Sequence, residues 1–236
     1  MKNSIEAQSA ANSLARIDWS AVSDTQVAEA IPQLLQDWRM RKRWDAISPN
    51  ARDTHKEILR SYLRSAAPPK IASLEPAILE DLQSRDLIVV KNGQITSAYP
   101  FSTIATTHAV TVDAVTNSAV CAIDALGVAA MSALASRVQC QCPICNGKID
   151  VSIRADGLTI QAAWPATARL WAGVVDIAGC AADTQCQTML VFCSPKHLAV
   201  WRETQKPVVR GFDLSLSQAV QLGAAIFRPF LGVSDT

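Results

Sequence analysis

Strong charge of either sign is missing from this chain. Its 236 residues carry 22 basic and 21 acidic side chains, a formal charge of +1. The long-range attraction that draws proteins to polyanions is therefore absent, and no nucleic-acid or membrane partner is expected. Also lacking is an apolar run behind Lys2: MKNSIEAQSAANSLARIDWS does not resemble a secretory signal, so the expected location is cytoplasmic. Repeats and low-complexity tracts are absent too. One stretch, residues 119–136 (AVCAIDALGVAAMSALAS), approaches the length of a membrane span. It is rich in alanine and carries Asp124, whose charge would be costly in lipid, so it reads as a buried core helix.

Cysteine is what the chain does have. Seven occur, an odd number, and in a reducing compartment they read as thiols, metal ligands or nucleophiles rather than disulfides. With 49% hydrophobic residues the chain can bury one sizeable core and a small second domain.

The apolar periodicity predicts an α+β fold. Residues 1–98 form a helical, winged-helix-like N-terminal region, and residues 99–236 a mixed domain of small antiparallel β-sheets and helices. Helices are expected over Thr25 to Trp44 (Ile31, Leu34, Leu35, Trp38) and Ala51 to Ser65 (Ile58, Leu59, Tyr62, Leu63). Another follows Pro68 and Pro69, with Ser73 as N-cap and Pro76 in its first turn. Leu87 to Val90 and Gln94 to Ala98 flank Asn92-Gly93, a pair that favours a hairpin turn. Helix, break, helix, hairpin is a winged-helix order, but Glu75, Glu80, Asp81 and Asp86 against Arg85 would repel phosphates, which favours a packing or lid role. The cluster Arg39, Arg41, Lys42 and Arg43 reads as a solvated helix face. Beyond Tyr99 an extended segment leads into the helix after Cys121. Strands are expected at Lys148 to Arg154, Gly157 to Ala163, Leu170 to Val175 and Thr188 to Cys193, and helices near Pro195 to Gln205 and Leu216 to Phe227.

Cys121 and Asp124 stand three apart at the start of the apolar helix, which puts a thiol and a carboxylate on one face. A buried cysteine and a first-turn aspartate can equally be structural, and the pair alone does not decide. Its surroundings do. YPFST (99–103) with His108, AVCAIDALGVAAM (119–131), CPICNGKI (142–149) and CQTMLVFCSPKHLAVW (186–201) resemble, in order and spacing, the organomercurial (alkylmercury) lyase family. The resemblance spans roughly Leu87 to Trp201, and nothing in residues 1–50 contributes to it. It implies that Cys121, Asp124 and Cys186 are catalytic. It further implies that Cys121 and Cys186 hold mercury, with Asp124 able to join them, while Asp124 moves the proton that cleaves the carbon–mercury bond.

Those residue types fit that chemistry, because soft thiolate sulfur suits a soft metal ion and a carboxyl can relay a proton to carbon. The expected reaction gives a hydrocarbon and bound Hg(II), with no organic cofactor, external thiols as co-reactants, and mercuric reductase as a conceivable recipient. A helix N-terminus would favour a thiolate at Cys121 and the Asp124 carboxylate would oppose it, so the three groups should titrate as a unit.

Two departures stand out: Val120, where some members carry an aromatic residue, and Cys145, within a segment where the family pattern supplies a cysteine at Cys142 and a glycine at Gly147. Cys142 and Cys145 have zinc-knuckle spacing, but a structural zinc site needs four ligands and no second pair is present in sequence. Cys140, Cys180 or Cys193 could complete it in space, so structural zinc is kept as the less favoured reading. An odd offset from Cys186 along a strand makes Cys193 a core residue, and His197 with Trp201, four apart on a helix, reads as packing. The alternative function is a noncatalytic thiol-based metal-binding or delivery protein, against which Asp124 argues, since a carrier needs no proton donor.

Overall fold

The computed structural model describes residues 16–35, 37–175, 179–205 and 209–232. The expectations for most of the first twenty residues, and for the Trp38 side chain, fall outside them.

Helix α1 (Thr25–Leu34) starts where Asp24 accepts bonds from the backbone N–H groups of Gln26 (2.8 Å) and Val27 (3.3 Å). Its spacing buries Val27, Ala30, Ile31 and Leu34 on one stripe. The single helix expected to Trp44 is two, the second being α2 (Asp37–Trp44). Helix α3 (Pro49–Ser65) is capped by Ser48, carries Pro at its first position and ends at Ala66 in the left-handed region. Helix α4 (Pro76–Ser84) begins two residues later than expected: Glu75 is its N-cap, and Ser73 closes a separate 3-10 turn over Ile71–Ser73.

Asn92 and Gly93, both at positive φ, turn β1 (Ile88–Lys91) into β2 (Gln94–Ala98). That hairpin is the edge of a larger antiparallel sheet. It continues through β3 (Phe101–Ser102), β4 (His108–Val112), β5 (Val115–Ala119), β6 (Ser136–Gln141), β7 (Lys148–Ile153) and β8 (Ile160–Trp164), in the order β1-β2-β3-β5-β4-β6-β7-β8. A second sheet joins β10 (Met189–Phe192), β9 (Arg169–Gly173) and β11 (Gly211–Ser215) in that order. Strands β6 and β11 were not expected. Residues of β6 alternate buried and exposed, with Ser136, Val138 and Cys140 inward, which is the period-two signature of a half-buried strand.

Helix α5 (Ala122–Ser132) is the stretch tested above as a membrane span. Ten consecutive residues from Ala122 to Met131 are buried, so the absence of a polar face reflects a helix enclosed on all sides. Among the described residues no helix is long and apolar enough to cross a membrane. Its main neighbour is α7 (Leu216–Leu231), opened by a capping box between Ser215 and Gln218. Gly127 and Gly223 let the two backbones touch: a Cβ at 127 would lie 2.8 Å from the Gly223 carbonyl oxygen and closer still to the Phe227 ring. Gly127→Ala should therefore lower stability by about 1–3 kcal/mol through overpacking, read as a shift in the denaturant midpoint at unchanged slope. An unshifted midpoint would mean that the helices separate freely. Helix α6 (Pro195–Thr204), capped by Ser194, packs Trp201 against Trp171 and Phe192 at centroid distances of 5.9 and 5.5 Å.

Candidate active site

Strand β5 delivers the chain to Cys121, the N-cap of α5. The cap residue is extended, and the Asp124 carboxylate stands three residues on, in the first turn of the helix. Thiol and carboxylate are thus fixed by one local turn, and both are buried, at 3% and 4% exposure. Cys186 arrives from elsewhere. It sits in a 3-10 turn over Gln185–Thr188 that leads into β10, with its sulfur 3.7 Å from Asp124 Oδ2. The structure brings all three predicted residues together, their donor atoms lying within 4.8 Å of one another.

The pocket above them has two kinds of wall. Leu34, Leu35, Met189, Ile226 and Phe227 form an apolar side, while Arg39, Arg43, Tyr99 and Gln185 supply polar groups. This corrects the reading of the basic cluster as a solvated face: Arg39 and Arg43 are each only 6% exposed. Their anchor is Asp86, which sequence reasoning counted only as an obstacle to phosphate. Its carboxylate accepts from Arg43 Nη2 (3.0 Å) and the Tyr99 hydroxyl (3.1 Å), and faces Arg39 Nε at 3.8 Å. It also accepts from the backbone N–H of Ala181, in the turn just before Cys186. Arg43 lies over the Tyr99 ring, 4.8 Å from its centroid. Arg39 donates to the Gly179 carbonyl and the Thr184 hydroxyl. Two arginines and one aspartate therefore hold the segment that carries the second thiol. The i,i+4 spacing of Arg39 and Arg43, continuing the apolar stripe of Leu34 and Leu35, was the available signal.

Burial decides the protonation states. It pushes Cys121 well above the usual thiol range, and the bond Cys121 donates to Cys186 and the nearby Asp124 charge push the same way. The helix N-terminus does not overcome this, so Cys121 rests as a thiol, contrary to the thiolate that its position suggested. At Cys186 the bond from Cys121 lowers the value, but desolvation and Asp124 outweigh it and leave it raised. Desolvation lifts Asp124 to about 6, although bonds from Cys121 and the Arg43 charge oppose the rise.

The remaining cysteines lie apart from this group. Cys140 pairs in register with His108 across β6 and β4, sulfur to Nδ1 at 3.3 Å. Burial holds His108 down at about 4 and Cys140 up at about 12, so both are neutral and inert. Cys180 contacts the Tyr99 hydroxyl at 3.2 Å. Cys193 is not a core residue: it is half-exposed and faces Cys145 (3.7 Å) and His197 Nδ1 (3.1 Å). Its face is not set by strand alternation from Cys186, which lies in a turn. Trp201 packs as expected, but His197 turns toward thiols.

Two thiols and a carboxyl at the floor of a half-apolar pocket make a donor set suited to a soft metal ion. The alkylmercury lyase (MerB) family model matches residues 101–228, more than half of the chain. The chain belongs to the alkylmercury lyase family, and cleavage of the carbon–mercury bond is its activity. No curated protein sequence matches it. The fold is similar to that in a solved structure described as the mercury-bound form of MerB2, with a TM-score of 0.69 and 21% identity, over 89% of this chain and 100% of that one.

Proposed function

We propose that Cys121, Asp124 and Cys186 perform the protonolysis, and that their meeting in one buried pocket is the observation that carries the assignment. A thiol displaces the ligand of R–Hg⁺ and its proton passes to Asp124, whose value of about 6 lets it accept near neutrality and still act as an acid. The second thiol binds the same mercury, its proton leaving with the displaced ligand as that ligand's conjugate acid, and raises electron density on the carbon. Asp124 then gives its proton to that carbon, the Hg–C bond breaks, and the products are R–H and Hg(II) held by two sulfurs. Atoms balance without a redox partner or an organic cofactor. The apolar wall of Leu34, Leu35, Ile226 and Phe227 would receive the alkyl or aryl group.

In the same reading, external thiols draw Hg(II) off the sulfurs, and the enzyme serves mercury detoxification in the cytoplasm, with mercuric reductase as the recipient. Residues 1–98 are the winged-helix-like region, acting as a cap on the catalytic domain of residues 99–236 rather than as a DNA reader. Arg39, which donates to Gly179 and Thr184 in the Cys186 segment, and Arg43, which reaches it through Asp86 and Ala181, support that role.

The test is headspace detection of methane or benzene from methylmercury or phenylmercury with excess thiol. Wild type should release hydrocarbon and retain one Hg(II) until thiol removes it. Cys186→Ser should still capture the organomercurial at Cys121 but release hydrocarbon at least about 100-fold more slowly, as a lost positioned catalytic group does. Tight mercury binding by the wild type without hydrocarbon would overturn the proposal.

A further inference from the structure

We propose that Cys142, Cys145, Cys193 and His197 form a second metal site, separate from the reactive thiols, that holds one structural zinc ion. The four donor atoms lie within 4.8 Å of one another. Tetrahedral zinc, with Zn–S of about 2.3 Å and Zn–N of about 2.0–2.1 Å, sets neighbouring donors about 3.5–3.8 Å apart. Cys145 and Cys193 sulfurs stand at 3.7 Å, and Cys142 sulfur is 3.5 Å from His197 Nδ1. The Cys193 to His197 distance, 3.1 Å, would open by a few tenths of an ångström.

The backbone around Cys142 and Cys145 is shaped for this task. Asn146 N–H donates to the Cys142 carbonyl (2.8 Å) and Cys142 N–H to the Gly147 carbonyl (2.9 Å), closing a tight knuckle with Asn146 at φ 55°. Gly147 N–H points at Cys145 sulfur at 3.3 Å, and a Cβ on Gly147 would come within 3.0 Å of that sulfur. Such an N–H donor offsets part of the negative charge of a three-thiolate site and orients its ligand. Ser194 caps α6 through His197 N–H (3.2 Å), fixing the turn that presents the imidazole.

Three sulfurs and one imidazole select zinc over magnesium or calcium. Four protein ligands leave no position for substrate, so the role is structural. The ion would clamp the β6–β7 turn to the junction of β10 and α6. Because β10 begins three residues after Cys186, the clamp fixes the far end of the strand that follows the second reactive thiol.

Elemental analysis of protein purified under reducing conditions, from cells never exposed to mercury, tests this. Wild type and Cys121→Ser/Cys186→Ser should each carry about one zinc per chain, and Cys145→Ser/Cys193→Ser should carry almost none. Cobalt in place of zinc should give the visible bands of a tetrahedral sulfur-rich site. Should the Cys145→Ser/Cys193→Ser variant fail to fold, wild type supplies the readout: a strong chelator should lower its melting temperature, and zinc should protect Cys145 and Cys193 from alkylation. The proposal falls if folded wild type lacks zinc and gains no melting temperature from added zinc. It falls equally if zinc is lost from Cys121→Ser/Cys186→Ser instead, or if Cys145 and Cys193 are found joined as a disulfide.

Discussion

Asp124→Asn is expected to slow hydrocarbon release by about 10²–10⁴-fold, the worth of a positioned proton donor, while making the protein more stable at neutral pH. The two effects have one cause. Burial raises the folded-state value of Asp124 from 3.8 to about 6. A group raised in this way favours the fold when protonated, and that contribution is lost as pH climbs through about 6. Above that pH the buried charge costs up to about 3 kcal/mol, from roughly two units at 1.36 kcal/mol each. Asparagine does not titrate, so the melting temperature of the variant should exceed that of wild type by roughly 5–10 °C near pH 8. The gap should close below about pH 4, where both side chains are neutral. Melting curves at a series of pH values measure it directly. A pH-independent gap, or a variant less stable than wild type at pH 8, would show that the carboxylate is not held at a raised value. A variant with full turnover would remove Asp124 from the proton path.

The legible part of this site was local. Cys121 and Asp124 are three residues apart on a helix that announces itself by its apolar run, so one turn of chain fixes their relation. Cys186 was reached only through family resemblance, because its approach depends on a turn and a sheet assembled from distant segments. What escaped notice shares that property. Arg39 and Arg43 look like a solvated face until Asp86, more than forty residues on, is brought beneath them, and no local rule reports that a charge will be buried with a partner. His197 was assigned to packing through Trp201 on its own helix, while the thiols it faces come from the β6–β7 turn and the end of β10. Strand β6 did carry its alternation in sequence. Strand β11 is short, with only Leu214 fully buried, and offers little pattern to read.

Asp86→Ala should be the most damaging single change outside the three reactive residues, lowering stability by about 3–5 kcal/mol. Removing this carboxylate strands Arg43, buried with its partner at 3.0 Å, and takes away the ion that faces Arg39. It also frees the Tyr99 hydroxyl and the Ala181 N–H, which tie the segment before Cys186 to the N-terminal helices. Charge and tether can be separated by a second substitution. In Asp86→Ala/Arg43→Met an apolar chain fills the guanidinium's place, and much of the stability should return, since a buried ion pair replaced on both sides is often neutral. Turnover should not return with it. The Ala181 turn still lacks its acceptor, so Cys186 is held against Asp124 less firmly, by the Arg39 and Tyr99 bonds alone, and hydrocarbon release should stay about 10-fold or more below wild type, as misplacement of a reactive group by about an ångström predicts. Capture of the organomercurial by Cys121, whose position is set within α5, should be nearly unchanged. Recovery of both stability and turnover in the double variant would mean that Asp86 serves only to balance charge, and that the Cys186 turn keeps its place without it.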